Sequence, residues 1–179
     1  MKYIGVFCSA SEVEEKYIKA ATAFAQLLAS SGYGLVWGGS DKGIMKIVAD
    51  EVEKGGGKLV GISVEFLQDV VRKKADEMII TKNLSDRKAT LLERSDAIVM
   101  LVGGIGTLDE VAEMLEHKKH GHHNKPVVIL NTAGFYDGLK LQIEKMIREG
   151  FINKTMDEFV YFADAPQRAI EYITGKLKI

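Results

Sequence analysis

The chain has 179 residues, of which 46% are hydrophobic, so it is long enough to bury one full core, and we expect a single domain over residues 1–179. Its 24 lysines and arginines nearly balance its 25 aspartates and glutamates, and the net charge of -1 supplies neither a basic field for nucleic acid nor a polybasic membrane anchor. A single cysteine, Cys8, excludes an internal disulfide framework and suits a reducing compartment, so we expect a cytoplasmic protein.

The first half of the chain alternates apolar runs with amphipathic segments. The run Tyr3–Phe7 predicts a buried strand, because it reaches polar residues too soon to be a signal peptide or a membrane span. After it, the pattern predicts helices over 14–31, 44–52, 66–71 and 84–94 and strands over 35–37, 59–62 and 78–80. The basic run at 72–74 is predicted to be solvated surface.

The second half continues in the same order. Strands are predicted over 97–101, 127–130 and 160–162, and helices after the glycines near 105 and over 136–148 and 165–177. The strands are continuous apolar runs without polar alternation, which is typical of a sheet covered by helices on both faces. We therefore predict an α/β fold with a doubly wound, mainly parallel sheet, whose ligands bind beyond the carboxyl ends of the strands.

Two glycine-rich turns follow predicted strands and precede predicted helices. The more prominent contains Gly103, Gly104 and Gly106, which we expect to take positive φ and to let a ligand approach the backbone. A helix start presents unpaired N–H groups and the positive end of a dipole, and the Thr107 hydroxyl adds a donor, so the turn predicts a phosphate site. The earlier turn, from Gly38 to Gly43, has the same placement.

Two structural alternatives stand beside this interpretation. The residues Thr107 and Glu110 also match a capping box, which would only satisfy the start of a helix. Arg87 and Lys88 fall in the first turns of a predicted helix, where the dipole disfavours cations, so they are either functional or simply exposed. Neither nucleotide motif fits, since Asp109 replaces the third glycine of the dinucleotide fingerprint and no Gly-Lys-Ser/Thr is present.

All four histidines lie between His117 and His123. Interleaved lysines and the lack of a completing carboxylate or thiolate argue against a metal site, so we predict a solvated helix end and loop. Cys8 has no histidine beside it and is expected to be a small buried residue rather than a nucleophile.

With these residues in hand, the chain resembles the Lonely Guy family of cytokinin riboside 5′-monophosphate phosphoribohydrolases, long described as possible lysine decarboxylases. The family signature Pro-Gly-Gly-x-Gly-Thr-x-x-Glu is matched from Gly103 to Glu110. Further matches, in the right order, lie at 6–11, 37–40, 43–45, 86–88, 120–131 and 134–137. The chain departs from the family at Val102, where proline is usual, at Ser40, where a third glycine is usual, and at 84–86 and 116–117, which touch the expected base pocket.

The resemblance implies hydrolysis of the N-glycosidic bond of a nucleoside 5′-monophosphate, AMP or AMP with a cytokinin-type substituent, to free base and ribose 5-phosphate. It implies that Glu110 stabilises the cationic ribosyl group and orients a water, and that Arg87 acts as an electrostatic partner. The residues implied in substrate binding are Gly38, Gly39, Gly43, Lys88, Gly103, Gly104, Gly106 and Thr107. We expect no metal and no cofactor, and a homodimer.

Other functions remain open at this point. A non-catalytic carrier of a nucleotide or of the molybdenum cofactor resembles this family and uses a similar glycine loop, although the retained Arg87 and Glu110 argue against that role. A decarboxylase is disfavoured, because nothing in the sequence singles out a lysine with the partners that pyridoxal phosphate needs. Apolar residues near 84–93 and 111–115 either pack across a dimer interface or belong to the core of one chain.

Overall fold

The computed structural model describes residues 1–177, which form one seven-stranded sheet with helices on both faces. The strands are β1 Tyr3–Phe7, β2 Gly34–Trp37, β3 Leu59–Val64, β4 Glu77–Thr81, β5 Ala97–Met100, β6 Val127–Leu130 and β7 Tyr161–Ala163. The helices are α1 Glu15–Ser30, α2 Gly43–Lys54, α3 Leu84–Arg94, α4 Ile105–Lys119, α5 Asp137–Arg148, α6 Met156–Phe159 and α7 Pro166–Leu177. No helix within residues 1–177 is long and apolar enough to cross a membrane.

All the strand pairs are parallel, in the order β4-β3-β2-β1-β5-β6-β7. The inner strands bury both faces: in β5, Ala97 and Val99 pack with α1, α2 and α7, while Ile98 and Met100 pack with α3, α4 and α5. This arrangement explains the absence of polar alternation in the strand sequences. The predicted fold class, a doubly wound parallel α/β sheet, is confirmed.

The chain direction across the sheet reverses between β1 and β5. From β1 the chain proceeds through β2 and β3 to β4, then returns to β5 on the other side of β1. Phe7 pairs with Met100 at the carboxyl ends of these two central strands, so the turn after β5 opens beside the end of β1. Crevices at such a reversal are the usual ligand sites of open parallel sheets.

The structure adds two elements that the sequence pattern did not reveal. One is the four-residue helix α6, which begins with a capping box between Thr155 and Glu158 and is too short to show a helical period. The other is a 3₁₀ turn at Thr132–Gly134, where Ala133 has a positive φ of 54°. The predicted short helix near residue 66 is a 3₁₀ helix at Glu65–Val70.

The prediction for the basic run is wrong at its first residue. Lys73 and Lys74 are exposed, as expected, but Arg72 is buried among the carboxylates of Asp41 and Asp50. A third carboxylate, that of Glu53, also pairs with it. Burial of a guanidinium is tolerated because several carboxylates replace its water shell.

Candidate active site

The turn between β5 and α4 is relaxed and open. None of its glycines, Gly103, Gly104 or Gly106, has a positive φ, so that expectation is wrong. Glycine is required at 103 for space, because a Cβ there would collide with the buried side chain of Thr107. Around Gly104 and Gly106 a Cβ would meet no atom within 4 Å, so these two positions border open space.

The start of α4 presents unused donors to that space. Gly104 is the N-cap and offers no side chain, and the first helical hydrogen bond is from Leu108 N–H to the Gly104 carbonyl at 3.1 Å. The N–H groups of residues 105–107 find no acceptor in the described part of the chain. Three converging N–H groups and a positive helix end suit an anion such as phosphate.

The capping-box alternative for this helix is wrong. Thr107 is the third residue of α4 rather than its N-cap, and no side chain caps the helix. The Glu110 carboxylate does not fold back onto the helix start but binds the guanidinium of Arg87. Glu110 therefore does not cap its own helix.

The turn between β2 and α2 contains glycines with positive φ, unlike the turn between β5 and α4. Gly39 and Gly43 have φ values of 76° and 55°, which only glycine adopts readily. At Gly38 a Cβ would collide with the Arg87 guanidinium, so glycine there makes room for that side chain. The N-terminus of α2 is partly occupied, since Met45 N–H donates to the Ser9 carbonyl at 3.2 Å.

Arg87 and Glu110 form a buried ion pair at the carboxyl edge of the sheet. Both are 7% exposed, and Arg87 Nη1 donates to Glu110 Oε1 at 2.7 Å. Arg87 Nε donates to the Ile62 carbonyl at 2.9 Å, and Nη2 donates to the Gly38 carbonyl at 3.3 Å. The second carboxylate oxygen, Glu110 Oε2, accepts no hydrogen bond from residues 1–177, so it retains a free lone pair.

Burial sets the ionisation of this region. Desolvation raises the pKa of Glu110, and the negative charge of Asp109 adds to the rise, while Arg87 opposes it without cancelling it. Burial and the nearby Glu110 also raise the pKa of the Cys8 thiol, which therefore stays neutral. Cys8 is the small buried residue that the sequence predicts, and Glu110 is a carboxylate with unusual proton affinity.

Lys88 lies near this pair but has different partners. Its ammonium binds Glu113 at 2.6 Å and Asp109 at 3.1 Å along α4, and these contacts raise its pKa. Asp109 is thus an ion-pair partner rather than only a helix-start charge. The structure brings together the glycine turns, Arg87 and Glu110, while Lys88 stands one helix face away.

Sequence reasoning gave no role to Tyr136. Its hydroxyl is buried and donates to the Leu101 carbonyl at 2.9 Å, next to the glycine turn. The backbone N–H of Tyr136 donates in turn to Asn131 Oδ1 at 2.7 Å. A signal was present in the sequence, because two aromatic residues, Phe135 and Tyr136, directly follow a glycine a few residues beyond a strand end.

A cleft of about 650 Å³ opens beside Gly103 and Gly104. It is lined by Ser9, Glu12, Val13, Glu14, Tyr17, Val102 and Phe135. The half-exposed ring of Phe135 meets Tyr17 edge to face, with ring centres 5.6 Å apart. An aromatic wall beside an anion site has the shape and chemistry to hold a sugar phosphate with an attached base.

The histidine run shows no sign of metal ligation. Across residues 1–177 no group of three or more His, Cys, Asp or Glu side chains is placed to hold a metal ion. His120 and His122 are exposed, and His123 Nε2 donates to the Met114 carbonyl at 2.9 Å. Burial lowers the pKa of His123 and keeps it neutral.

Comparisons with known proteins identify the family and the fold. The family model described as "Possible lysine decarboxylase" matches residues 45–173. A cytokinin riboside 5′-monophosphate phosphoribohydrolase from Mycobacterium tuberculosis is 31% identical over 169 residues, covering 93% of this chain and 90% of that protein. One from Arabidopsis thaliana is 36% identical over 168 residues, covering 92% of this chain and 73% of the relative.

Solved structures with the same fold include carriers of a cofactor. The molybdenum cofactor binding protein of Rippkaea orientalis has a TM-score of 0.77 at 25% identity, covering 98% of this chain and 97% of its own. The molybdenum cofactor carrier protein of Chlamydomonas reinhardtii has a TM-score of 0.72 at 23% identity, covering 99% of both chains. The second likeness establishes the fold alone.

Proposed function

This chain belongs to the family described as possible lysine decarboxylases, which includes the cytokinin riboside 5′-monophosphate phosphoribohydrolases, and we propose that it is a hydrolase of nucleoside 5′-monophosphates. It cleaves the bond between the ribose and the base of AMP, or of AMP with a cytokinin-type substituent on the adenine amine. The observation that carries the proposal is the buried Arg87–Glu110 pair beside a helix start whose first N–H groups have no acceptor among residues 1–177.

The 5′-phosphate binds at the start of α4. The N–H groups of residues 105–107 donate to its oxygens, and the open space at Gly104 and Gly106 admits it. The turn at Gly38, Gly39 and Gly43 closes the other side. No cation is needed to hold the phosphate, since N–H dipoles in a partly desolvated site serve that purpose.

The ribose and base extend into the cleft beside Gly103. Phe135 provides an exposed aromatic surface on which a purine stacks, and Ser9 lies at the end of β1 within the same cleft. Glu12 and Glu14 at the rim are acceptors for the exocyclic amine of adenine.

Glu110 carries the chemistry. As the bond to the base breaks, positive charge develops on the ribosyl group, and a buried carboxylate at low dielectric stabilises that charge strongly. Its free oxygen, Oε2, accepts a proton from the attacking water, whose oxygen bonds to the anomeric carbon while the base leaves with the bonding electrons. The base takes up a proton from bulk water, and Glu110 returns its own proton to bulk water after the step. The raised pKa of Glu110 makes it a better base than an exposed glutamate.

Arg87 positions and balances Glu110. We assign it hydrogen bonding and charge rather than proton transfer to the leaving base, because guanidinium groups in proteins do not act as acids. Bonds to the Ile62 and Gly38 carbonyls fix its plane, and the remaining N–H bond orients the Glu110 carboxylate. Lys88 is a secondary substrate contact, which requires exchange of Asp109 or Glu113 for the ligand.

The test is release of free base. Purified protein is incubated with AMP, with AMP bearing an isopentenyl group on the adenine amine, with the matching nucleosides and with diphosphates, and free base is measured by chromatography. We expect release from the monophosphates and little from the nucleosides, which lack the group held at α4. Absence of base from every monophosphate would overturn the proposal.

A carrier function is the second candidate, favoured by the likeness to molybdenum cofactor binding proteins. A carrier would bind a phosphorylated ligand tightly and release no base over long incubation. Calorimetry with AMP or with a pterin phosphate, run beside the base-release assay, separates the two roles.

We also propose a homodimer. Val111 and Leu115 are buried within the chain's own core, so the core alternative holds for them. An apolar groove of about 570 Å³ nevertheless remains between α4 and α5, where Met146 is half-exposed and Phe151 is 71% exposed. Sedimentation equilibrium at micromolar concentration tests this assembly, and a monomer throughout would refute it.

A further inference from the structure

Arg72 is a buried arginine surrounded by carboxylates. Its Nη1 donates to Asp41 Oδ1 at 2.9 Å and to Asp50 Oδ1 at 2.6 Å, and its Nη2 donates to Glu53 Oε2 at 2.6 Å. A fourth N–H group, that of Nε, donates to the Lys74 carbonyl at 3.0 Å, and the residue is 8% exposed. The guanidinium therefore joins α2, the β2–α2 turn and its own segment at one point.

The backbone of this segment pairs with the same turn. Arg72 N–H donates to the Gly39 carbonyl, and Asp41 N–H donates to the Val70 carbonyl, each at 2.8 Å. Between these bonds, Ser40 and Val71 form an antiparallel bridge. The two chain segments thus make a short two-stranded ladder, and the Arg72 side chain closes over its end.

This ladder leads directly to the candidate active site. Gly39 is bonded to Gly38, whose carbonyl accepts a hydrogen bond from Arg87 Nη2 at 3.3 Å. Arg87 then binds Glu110. A displacement of the Gly38–Gly43 turn would therefore move the carbonyl that fixes the plane of the Arg87 guanidinium.

Ion pairs add to these backbone hydrogen bonds in holding the turn in this position. Asp41 faces Arg72 from the turn, Asp50 and Glu53 face it from α2, and Lys46 is the other cation that contacts Asp50. On the surrounding surface lie Lys42, Asp69, Lys73 and Lys74.

Burial alone would raise the pKa of Asp50, yet hydrogen bonds from Lys46 and Arg72 outweigh burial and lower it. Without Arg72, carboxylates of the turn and of α2 would repel each other.

We propose that Arg72 is a positioning residue of the active site, which holds the Gly38–Gly43 turn closed against α2 so that the turn fixes Arg87 against Glu110. This inference rests on the proposed hydrolase function. Arg72 touches no reacting atom and acts through the turn.

The decisive comparison is among Arg72→Ala, Arg72→Lys and Arg72→Ala with Asp50→Asn. Arg72→Ala should lower kcat for base release at least tenfold at pH 8, with a smaller effect on KM, because the site is misaligned rather than emptied. The deficit relative to wild type should shrink towards pH 5, because burial raises the pKa of Asp50 and Arg72 no longer opposes that rise in the variant. Neutralising Asp50 in the double variant should restore part of kcat at pH 8, and Arg72→Lys should fall between wild type and Arg72→Ala.

Arg94→Ala is the matched control. Arg94 also pairs with a carboxylate, that of Glu77, but at the opposite end of α3 from the site, so kcat should stay at the wild-type value. An Arg72→Ala variant with wild-type kcat would overturn the proposal, as would a deficit that is the same at every pH and is not relieved by Asp50→Asn. If Arg72→Ala does not fold, Arg72→Lys decides, and unchanged kcat in that variant overturns the proposal.

A measurement without substrate separates this proposal from the proposed function. Hydrogen exchange of the peptide spanning residues 38–43 should be faster in Arg72→Ala than in wild type and unchanged in Arg94→Ala. If wild type releases no base, the hydrolase proposal fails, but the exchange data still test whether Arg72 holds the Gly38–Gly43 turn against α2. If exchange of this peptide is the same in Arg72→Ala as in wild type, the proposed role of Arg72 is wrong, whether or not the protein releases base.

Discussion

The two glycine turns of this protein occupy equivalent places and use glycine for opposite reasons. After β2, Gly39 and Gly43 take positive φ, and Arg72 fixes the turn from outside. After β5, no glycine takes positive φ, and Gly104 and Gly106 face open space. The first turn is held by contacts within the chain, while the second borders open space and is the turn that we propose to bind the phosphate.

The helices that follow the turns diverge in the same way. Counting from the first helical residue, the sixth position is Val48 in α2 and Glu110 in α4. Val48 is fully buried in the apolar core, whereas Glu110 pairs with Arg87. The two glycine-rich segments are therefore similar in sequence, but the helices that follow them differ at this position: α2 has an apolar core residue and α4 has a carboxylate.

The largest expected effect is at Glu110. Glu110→Gln keeps the volume and an oxygen that accepts from Arg87, but removes the charge, so kcat should fall by roughly 10²–10³-fold with little loss of stability. In wild type, kcat should rise with pH as Glu110 ionises, with a midpoint above the ordinary glutamate pKa of 4.5 because burial raises it. A steady-state pH profile and a thermal melt measure both quantities.

Glu113→Gln is the matched control on the same helix. Glu113 lies three residues after Glu110 and pairs with Lys88 rather than with Arg87. Removing its charge should therefore leave the midpoint of the kcat–pH profile unchanged. Arg87→Ala is a poorer probe, because it leaves Glu110 buried without its cation and costs about 3–5 kcal/mol of stability. Equal turnover in wild type and Glu110→Gln would return this turn to a purely structural role.

The next effect sharpens the contrast between the turns. Gly39→Ala should destabilise the protein by about 1–2 kcal/mol, because alanine is strained at a φ of 76°. Gly106→Ala should leave stability unchanged or raise it by up to about 1 kcal/mol, because this helical glycine has open space around it. The same alanine should weaken AMP binding about tenfold by hindering a hydrogen bond to the phosphate.

Urea denaturation and calorimetry give the two quantities for each variant. Opposite signs in stability would confirm that one turn needs glycine for conformation and the other for access. If Gly106→Ala bound AMP as tightly as wild type, the open space at α4 would not be the phosphate site.

The smallest effect is at Tyr136, which supports the open turn from below. Tyr136→Phe removes the bond to the Leu101 carbonyl, and it should cost about 1 kcal/mol of stability and lower kcat/KM a few-fold. Tyr33→Phe is the control, because Tyr33 donates to Thr174 Oγ1 at 3.1 Å away from the turns. A loss of kcat/KM in both variants alike would assign the effect to general stability.

Much of the fold follows from local pattern. Because parallel strands bury both faces, β1, β5 and β6 stand out as unbroken apolar runs, and the glycines after β2 and β5 mark the carboxyl edge. The sign of φ at each glycine cannot be predicted from local pattern, because it depends on which side of the turn contacts other chain segments. At Gly43 the obstacle is the backbone of Ala10 and Ser11, which the sequence does not place there.

The candidate site divides similarly. Arg87 and Glu110 were identified through the family resemblance, and their contact depends on the sheet bringing α3 beside α4. Arg72 was misjudged because a run of three basic residues has the composition of a solvated surface. Its carboxylate partners lie 31, 22 and 19 positions away, so only the tertiary fold reveals them.

The hydrogen bonds of Arg87 carry a last consequence for assembly. Its acceptors lie 25, 23 and 49 positions away in the chain, on separate elements. The complete set spans residues 38–110 and forms only when the β2–α2 turn, β3, α3 and α4 have packed together, so the proposed catalytic competence should emerge only with that packing. During denaturant titration, activity and secondary structure should vanish along one shared curve, as in an all-or-none transition.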